Sequence, residues 1–243
     1  MKQSKYLPIW MLYARSTLPA LLAILVLTAG LEAFLFRLNW NGAVSLDGVF
    51  QNSRLSLVMA LSLILWTLVL SLPGWNRAAH TLNRLPSDRF TQSLCHVGFN
   101  ALSYLLLWGF HICLLYTLFL WFGAQASPEI FGPQSMLLLF YRSDPLHALL
   151  PLNDWSLWCK VLAYLLCLSV VADYPMLQRK KSLSKYIVTI VLFMILLLSF
   201  PTGLTNMLEN LVSAAIALLV ALILLFWHQT DSFLNLEVEE NET

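Results

Sequence analysis

Ionisable residues are scarce in this chain, so those that fall inside its long apolar runs are the ones whose chemistry asks for an explanation. Of 243 residues, 11 % are charged. Glu32 lies well inside the first apolar run and Glu209 at the start of the last, with Arg37, Arg54 and Lys160 at a comparable expected level. An ionised side chain held among apolar groups is costly and normally pairs or faces water. These residues could therefore form a charged vestibule or exit gate, or rim salt bridges that tie helices together. His111, in GFHICLL, could line a path and titrate, or could hydrogen-bond a neighbouring helix. Asp173 closes another run, where its charge opposes the helix dipole, and reads as a structural partner for the basic stretch Arg179–Lys185. Asp144 with His147 offers two metal-ligand types, too few for a metal site.

The motifs that would carry catalysis are missing. No G-x-x-x-x-G-K-[ST], no H-E-x-x-H and no G-x-S-x-G occurs. The chain therefore has no P-loop of its own, no catalytic residue is assigned, and no enzymatic activity or resident cofactor is expected. Cys95, Cys113, Cys159 and Cys167 stand singly without a C-x-x-C pair and read as reduced small hydrophobes. No nucleic-acid partner is expected.

The elements that must position these residues are membrane helices. With 59 % hydrophobic residues and a mean hydropathy of +0.72, the chain belongs to the membrane class. A hydrocarbon layer about 30 Å thick needs roughly 20 helical residues. Six runs approach that length, at 17–36, 55–72, 94–122, 155–173, 186–203 and 207–227. The expectation is an all-α polytopic protein with a six-helix transmembrane region over 17–227. The first run reads as a retained span and not a signal peptide. The third is too long for one straight crossing, so its first turns are expected in the interface. Residues 1–16 place Tyr6, Ile9, Trp10 and Tyr13 on one face and read as an interfacial amphipathic helix joined to the first span at an elbow. The loop at 124–154, with SMLLLFY and LHALLPL, is expected to cap the outer end of the bundle. The acidic stretch 228–243 reads as a solvated, mobile cytoplasmic tail.

Lysine and arginine set the orientation. With the N-terminus inside, Lys2, Lys5, Arg15, Arg77, Arg84, Arg89, Arg179, Lys180, Lys181 and Lys185 face the cytoplasm, ten of the 14 basic residues. Both termini are thus expected in the cytoplasm, in a multi-pass protein of the cell membrane.

One polar island breaks the second and third runs, HTLNRLPSDRF at 80–90. Pro86, with Asn83 or Ser87 as a cap, fits a short helix just before the third span. Arg84, Asp88 and Arg89 would lie on its surface, with Leu85 and Phe90 anchoring it. A cytoplasmic partner gripping such an element could tilt the third span.

This layout, with an N-terminal interfacial helix, six spans, both ends inside and a coupling loop over 74–93, resembles the membrane subunits of ABC exporters that work with separate ATPase chains. The resemblance implies that Arg84, Leu85, Pro86, Ser87, Asp88 and Arg89 form the coupling helix docking on an ATP-binding cassette subunit. It also implies a second permease subunit, identical or related, with ATP and Mg on the partner. The cargo would be a hydrophobic or amphipathic peptide, lipid or drug, moved by alternating access. Glu32, Arg37, Arg54, His111 and Glu209 would then belong to the pathway or its outer rim. The sequence departs from the family in placing its long outer loop after the third span and not before the last. The competing expectations are a non-transporting scaffold or immunity protein that binds a toxin or another membrane subunit, and a lipid-modifying hydrolase. The hydrolase would need a catalytic cluster at one membrane face.

Overall fold

The computed structural model describes residues 7–40, 49, 55–71, 89–123, 138, 141, 144–152, 154–173, 187, 191–192, 195 and 206–241. Six helices run through them: α1 Leu7–Asn39, α2 Leu55–Ser71, α3 Arg89–Gly123, α4 Asp144–Leu149, α5 Trp155–Asp173 and α6 Met207–Asn241. Strands are absent among the described residues. Stretches Pro8–Asn39, Phe90–Gly123, Trp155–Asp173 and Met207–Phe226 are long and apolar enough to cross a membrane, and α2 is a shorter apolar helix of 17 residues. Leu18, Leu22, Val26, Phe34, Leu102, Leu106, Ile216, Leu219 and Phe226 are all exposed. That much outward apolar surface is what a multi-pass membrane protein presents to lipid.

Ring contacts and hydrogen bonds fix the helix directions. Tyr13 of α1 stacks on His96 at the start of α3, with centroids 4.3 Å apart, and Phe36 meets Phe122 near the ends of the same helices at 4.9 Å. α1 and α3 are therefore parallel. On α2, the Trp66 Nε1 donates to Ser103 Oγ at 2.8 Å, and Leu55 packs with Leu115 and Phe119, so α2 is antiparallel to both. α5 is antiparallel to α3, because Asn100 Nδ2 donates to the Ser169 carbonyl at 3.2 Å while Trp108 meets Trp158 at 5.4 Å. α6 runs alongside α5 and starts beside its first turn, where Asn210 Nδ2 donates to Ser156 Oγ at 3.2 Å. We call the end where α1 and α3 begin the near end, and the other the far end.

The core sits on α5. In its apolar window 72 % of residues are buried, against 22–28 % in the other three candidate spans. α6 reaches it through Asn210, Ala214, Ala217 and Ala221, all buried at helical spacing, and such small residues let two backbones approach where lipid gives no hydrophobic drive.

The elbow expected near residue 16 is not a break, since α1 continues from Leu7 to Asn39. The reason is register. Ile9, Tyr13, Thr17, Ala20, Ile24, Thr28, Glu32 and Phe36 are buried along one unbroken stripe, so the first turns and the span pack on the same neighbour. Pro19 removes an amide inside this helix, and one turn earlier the Ser16 and Thr17 hydroxyls both donate to the Tyr13 carbonyl. At 33 and 35 residues, α1 and α3 exceed a bilayer's hydrocarbon thickness, each reaching about 50 Å at 1.5 Å per residue. Their first turns pair through Ile9, Tyr13 and Cys95 at the near end. α6 likewise remains helical to Asn241, across the stretch that reads as a mobile tail.

At the far end α4 and the residues after it close over the bundle. Leu146 is buried among Phe36, Trp40, Leu115 and Phe119, and Trp108 Nε1 donates to the Leu149 carbonyl at 3.1 Å. Within the expected 124–154 cap, residues 144–152 therefore lie on the bundle.

Candidate functional site

α3 carries two buried imidazole–carboxylate pairs, one to each of its main neighbours. Toward α1, His111 Nδ1 contacts Glu32 Oε1, and both side chains are almost wholly buried. Toward α5, His96 Nδ1 contacts Asp173 Oδ1, also out of solvent. Ser93, one turn before His96, donates its hydroxyl to Asp173 Oδ2 at 2.6 Å. The Tyr13 ring covers the His96 face, so α1, α3 and α5 meet at this point.

Helical spacing explains why α3 can do this. Ser93, His96, Asn100 and Ser103 recur at steps of three and four, one continuous buried stripe. Tyr104, beside Ser103, shares a hydrogen bond with Thr67 of α2. The stripe meets Leu107 and then resumes at His111. Polar groups remain without a hydrogen bond of regular geometry along it: Glu32 Oε2, His96 Nε2 and Asn100 Oδ1 have no partner, and Glu32 Oε1 and His111 Nδ1 meet as an ion-pair contact only. A single charge at a helix centre in a bilayer costs about 2.5–3.5 kcal/mol on insertion scales. In each pair a carboxyl and an imidazole face one another, so a charge on either would have an opposite partner beside it.

A third polar group joins α5 to α6 at the far end. Lys160, wholly buried, donates from Nζ to Asn210 Oδ1 at 3.3 Å, and Asn210 passes the connection to Ser156. Ser156 Oγ donates to Asp154 Oδ1 at 2.6 Å, and Asp154 also accepts the Ser156 amide at 2.9 Å as the N-cap of α5. The Ser156 hydroxyl first, then the Ser156 and Leu157 amides and the charge of His147, hold the Asp154 carboxyl below its ordinary range against a partial opposing effect of burial.

Of the residues that the sequence singles out, the structure brings Glu32 and His111 together. His111 is therefore not a lone histidine. Arg37 is exposed in the last turn of α1, where a cation suits the dipole. Glu209 is exposed in the first turn of α6 and accepts the Asn206 amide at 3.3 Å, a helix-start role apart from Glu32. Arg54, Arg84, Leu85, Pro86, Ser87 and Asp88 lie outside the described residues, as does the Arg89 side chain, although Arg89 is the first residue of α3. Asp173 is paired with His96 and Ser93, while the expected basic partners at 179–185 lie outside the described residues. No three His, Cys, Asp or Glu side chains converge as a metal site among the described residues.

No family model, no curated protein and no solved structure matches the chain. Function must therefore be argued from these residues. What the two pairs can do chemically is bind and release protons, and hold α3 to its neighbours.

His96 was not singled out from the sequence. The stripe of Ser93, His96, Asn100 and Ser103 in an otherwise apolar helix is the signal that could have found it.

Proposed function

We propose that this chain is the membrane subunit of an ATP-driven exporter of the ABC class, moving a hydrophobic or amphipathic peptide, lipid or drug. The observation that carries the reading is the form of α3. It begins at Arg89, the last charged residue of the polar island, and continues unbroken to Gly123, joined to α1 and α5 on the way. A rigid helix of this kind is a lever, because force applied to its first turn from Arg84, Asp88 and Arg89 would reach both polar pairs.

On this reading the near end faces the cytoplasm and both termini lie there. α5 finishes at the near end and α6 starts at the far end, so 186–203 is assigned the return crossing, completing six spans. Two such subunits would enclose the pathway. ATP and Mg would be held by separate ATPase chains, and closure of those chains would shift the population from inward-open to outward-open.

The test is co-purification. The tagged chain should bring down a soluble Walker-motif ATPase in stoichiometric amount. Arg84→Glu with Arg89→Glu should abolish that association and leave membrane insertion intact. A complex that still forms and turns over normally in the double variant would overturn the coupling assignment, and a scaffold protein would bring down no ATPase at all.

A further inference from the structure

The geometry points to Glu32 and His111 as a one-proton clasp between α1 and α3, so that separation of these two helices at the far end is linked to proton release. The inference rests on the proposed function only in supposing that α3 moves against α1.

The clasp lies in a dry interface. Glu32 is 0 % and His111 2 % exposed, and Phe36, Leu115 and Phe119 are packed beyond it toward the far end. Two other arrangements would be worse than the neutral pair. Losing its proton leaves a buried carboxylate beside a neutral ring, and gaining one leaves a buried imidazolium beside a neutral acid, each an uncompensated charge. The closed clasp is therefore the arrangement that holds one proton in total.

Separated in water, the two groups behave differently. A free carboxyl titrates near ~4.3 and a free imidazole near ~6.5. Between those values the separated groups also hold one proton in total, on the imidazole, and separation is independent of pH. Above about pH 6.5 they hold none, so each further unit favours separation about tenfold. Below about pH 4.3 they hold two, and separation is favoured again. The clasp is tightest in between.

The other buried imidazole–carboxylate pair, His96 with Asp173, joins α3 to α5 at the near end and does not bridge α1 and α3. α1 offers Arg37, exposed beyond the clasp. α3 offers Tyr104, bonded to Thr67, together with the exposed Cys113 and Tyr116. The described α2 holds no ionisable residue. α4 presents His147, set edge-on to Tyr141, and at the head of α5 stand Asp154, capping the helix, and Lys160, bonded to Asn210 of α6.

The test uses the full-length chain in lipid nanodiscs, without nucleotide or partner. Leu38→Cys and Trp121→Cys, at exposed positions near the far ends of α1 and α3, carry spin labels, with Cys95, Cys113, Cys159 and Cys167 replaced. Pulsed electron resonance reads the distance between the labels from pH 6 to pH 9. The ratio of separated to closed molecules should rise about tenfold per unit above about pH 6.5. The near-isosteric double variant Glu32→Gln with His111→Gln should be flat over the same range. A distance distribution that stays unchanged with pH in the unmodified pair overturns the clasp, and so does a slope that survives in the double variant. If the double variant fails to accumulate, the slope of the unmodified pair alone decides. Failure to find an ATPase partner would sink the exporter reading and leave this result standing, whereas a flat profile would sink the clasp and leave the exporter reading.

Discussion

Asp154 shows how a single side chain can set where a membrane helix starts. Its carboxylate takes the Ser156 amide and hydroxyl, which orders the first turn of α5 and, through Asn210, the first turn of α6. Asp154→Ala should cost about 1 kcal/mol, the usual worth of an N-cap, read as a lowered unfolding midpoint in detergent. The pH dependence has a definite sign. Because the folded carboxyl titrates below its ordinary range, its contribution is fully present above the ordinary carboxylate value and is lost as pH falls through the folded value. The difference between wild type and Asp154→Ala should therefore begin to shrink as the pH falls below about 4 and go on shrinking with further acidification. An unchanged difference in acid would show that the cap works through packing and not charge. At this scale the sequence is legible only in part. Glu32 and His111 each stand out as a polar residue in an apolar run, but their meeting depends on the register of two helices far apart in the chain. Asp173 likewise meets Ser93 and His96, residues far from it in the chain, and its expected basic partners at 179–185 lie outside the described residues.

Between elements, the contact of α1 with α3 at the near end is controlled by Gly98. A Cβ there would lie 3.2 Å from Cζ2 of Trp10, whose ring also meets Phe99 edge-on at 6.3 Å. Gly98→Leu should wedge the two helices apart and destabilise the fold by about 1–3 kcal/mol, the range for overpacking. Gly109, on the same helix, has nothing within 4 Å of its Cβ position. Gly109→Ala should thus be tolerated or stabilise by about 0.5–1 kcal/mol through helix propensity. Thermal unfolding of both variants in the same detergent checks the contrast, and equal effects would mean that Trp10 does not hold the pair together. The long apolar helices α3, α5 and α6 are plain in the sequence because hydrophobic length is a strong local signal. The continuity of α1 is not, because Lys5 and Arg15 flank the aromatic face and suggest a separate short helix before the span. Only the shared burial of Ile9, Tyr13 and Thr17 with the span beyond them shows that one neighbour serves both parts.

At the scale of the molecule, helix direction and charge point the same way. The near end receives the start of α1, the end of α2, the start of α3 and the end of α5. The sequence flanking those ends holds Lys2, Lys5, Arg15, Arg77, Arg84, Arg89, Arg179, Lys180, Lys181 and Lys185, which is the basis for proposing that the near end faces the cytoplasm. Because α6 starts beside the first turn of α5, the proposed six-span reading assigns the apolar run 186–203 to a return crossing between them. In a cysteine-free chain expressed in cells, Ser4→Cys, Ser87→Cys and Ser182→Cys should react with a membrane-impermeant maleimide only after the cytoplasmic side is opened. Asn153→Cys and Thr205→Cys should react in intact cells. Ser182 and Thr205 carry the most information, because they flank the assigned fifth crossing and must fall on opposite sides. If both react from one side, the six-span assignment fails. If Ser87 reacts in intact cells, no cytoplasmic motor can reach the start of α3, and the lever has nothing to pull it.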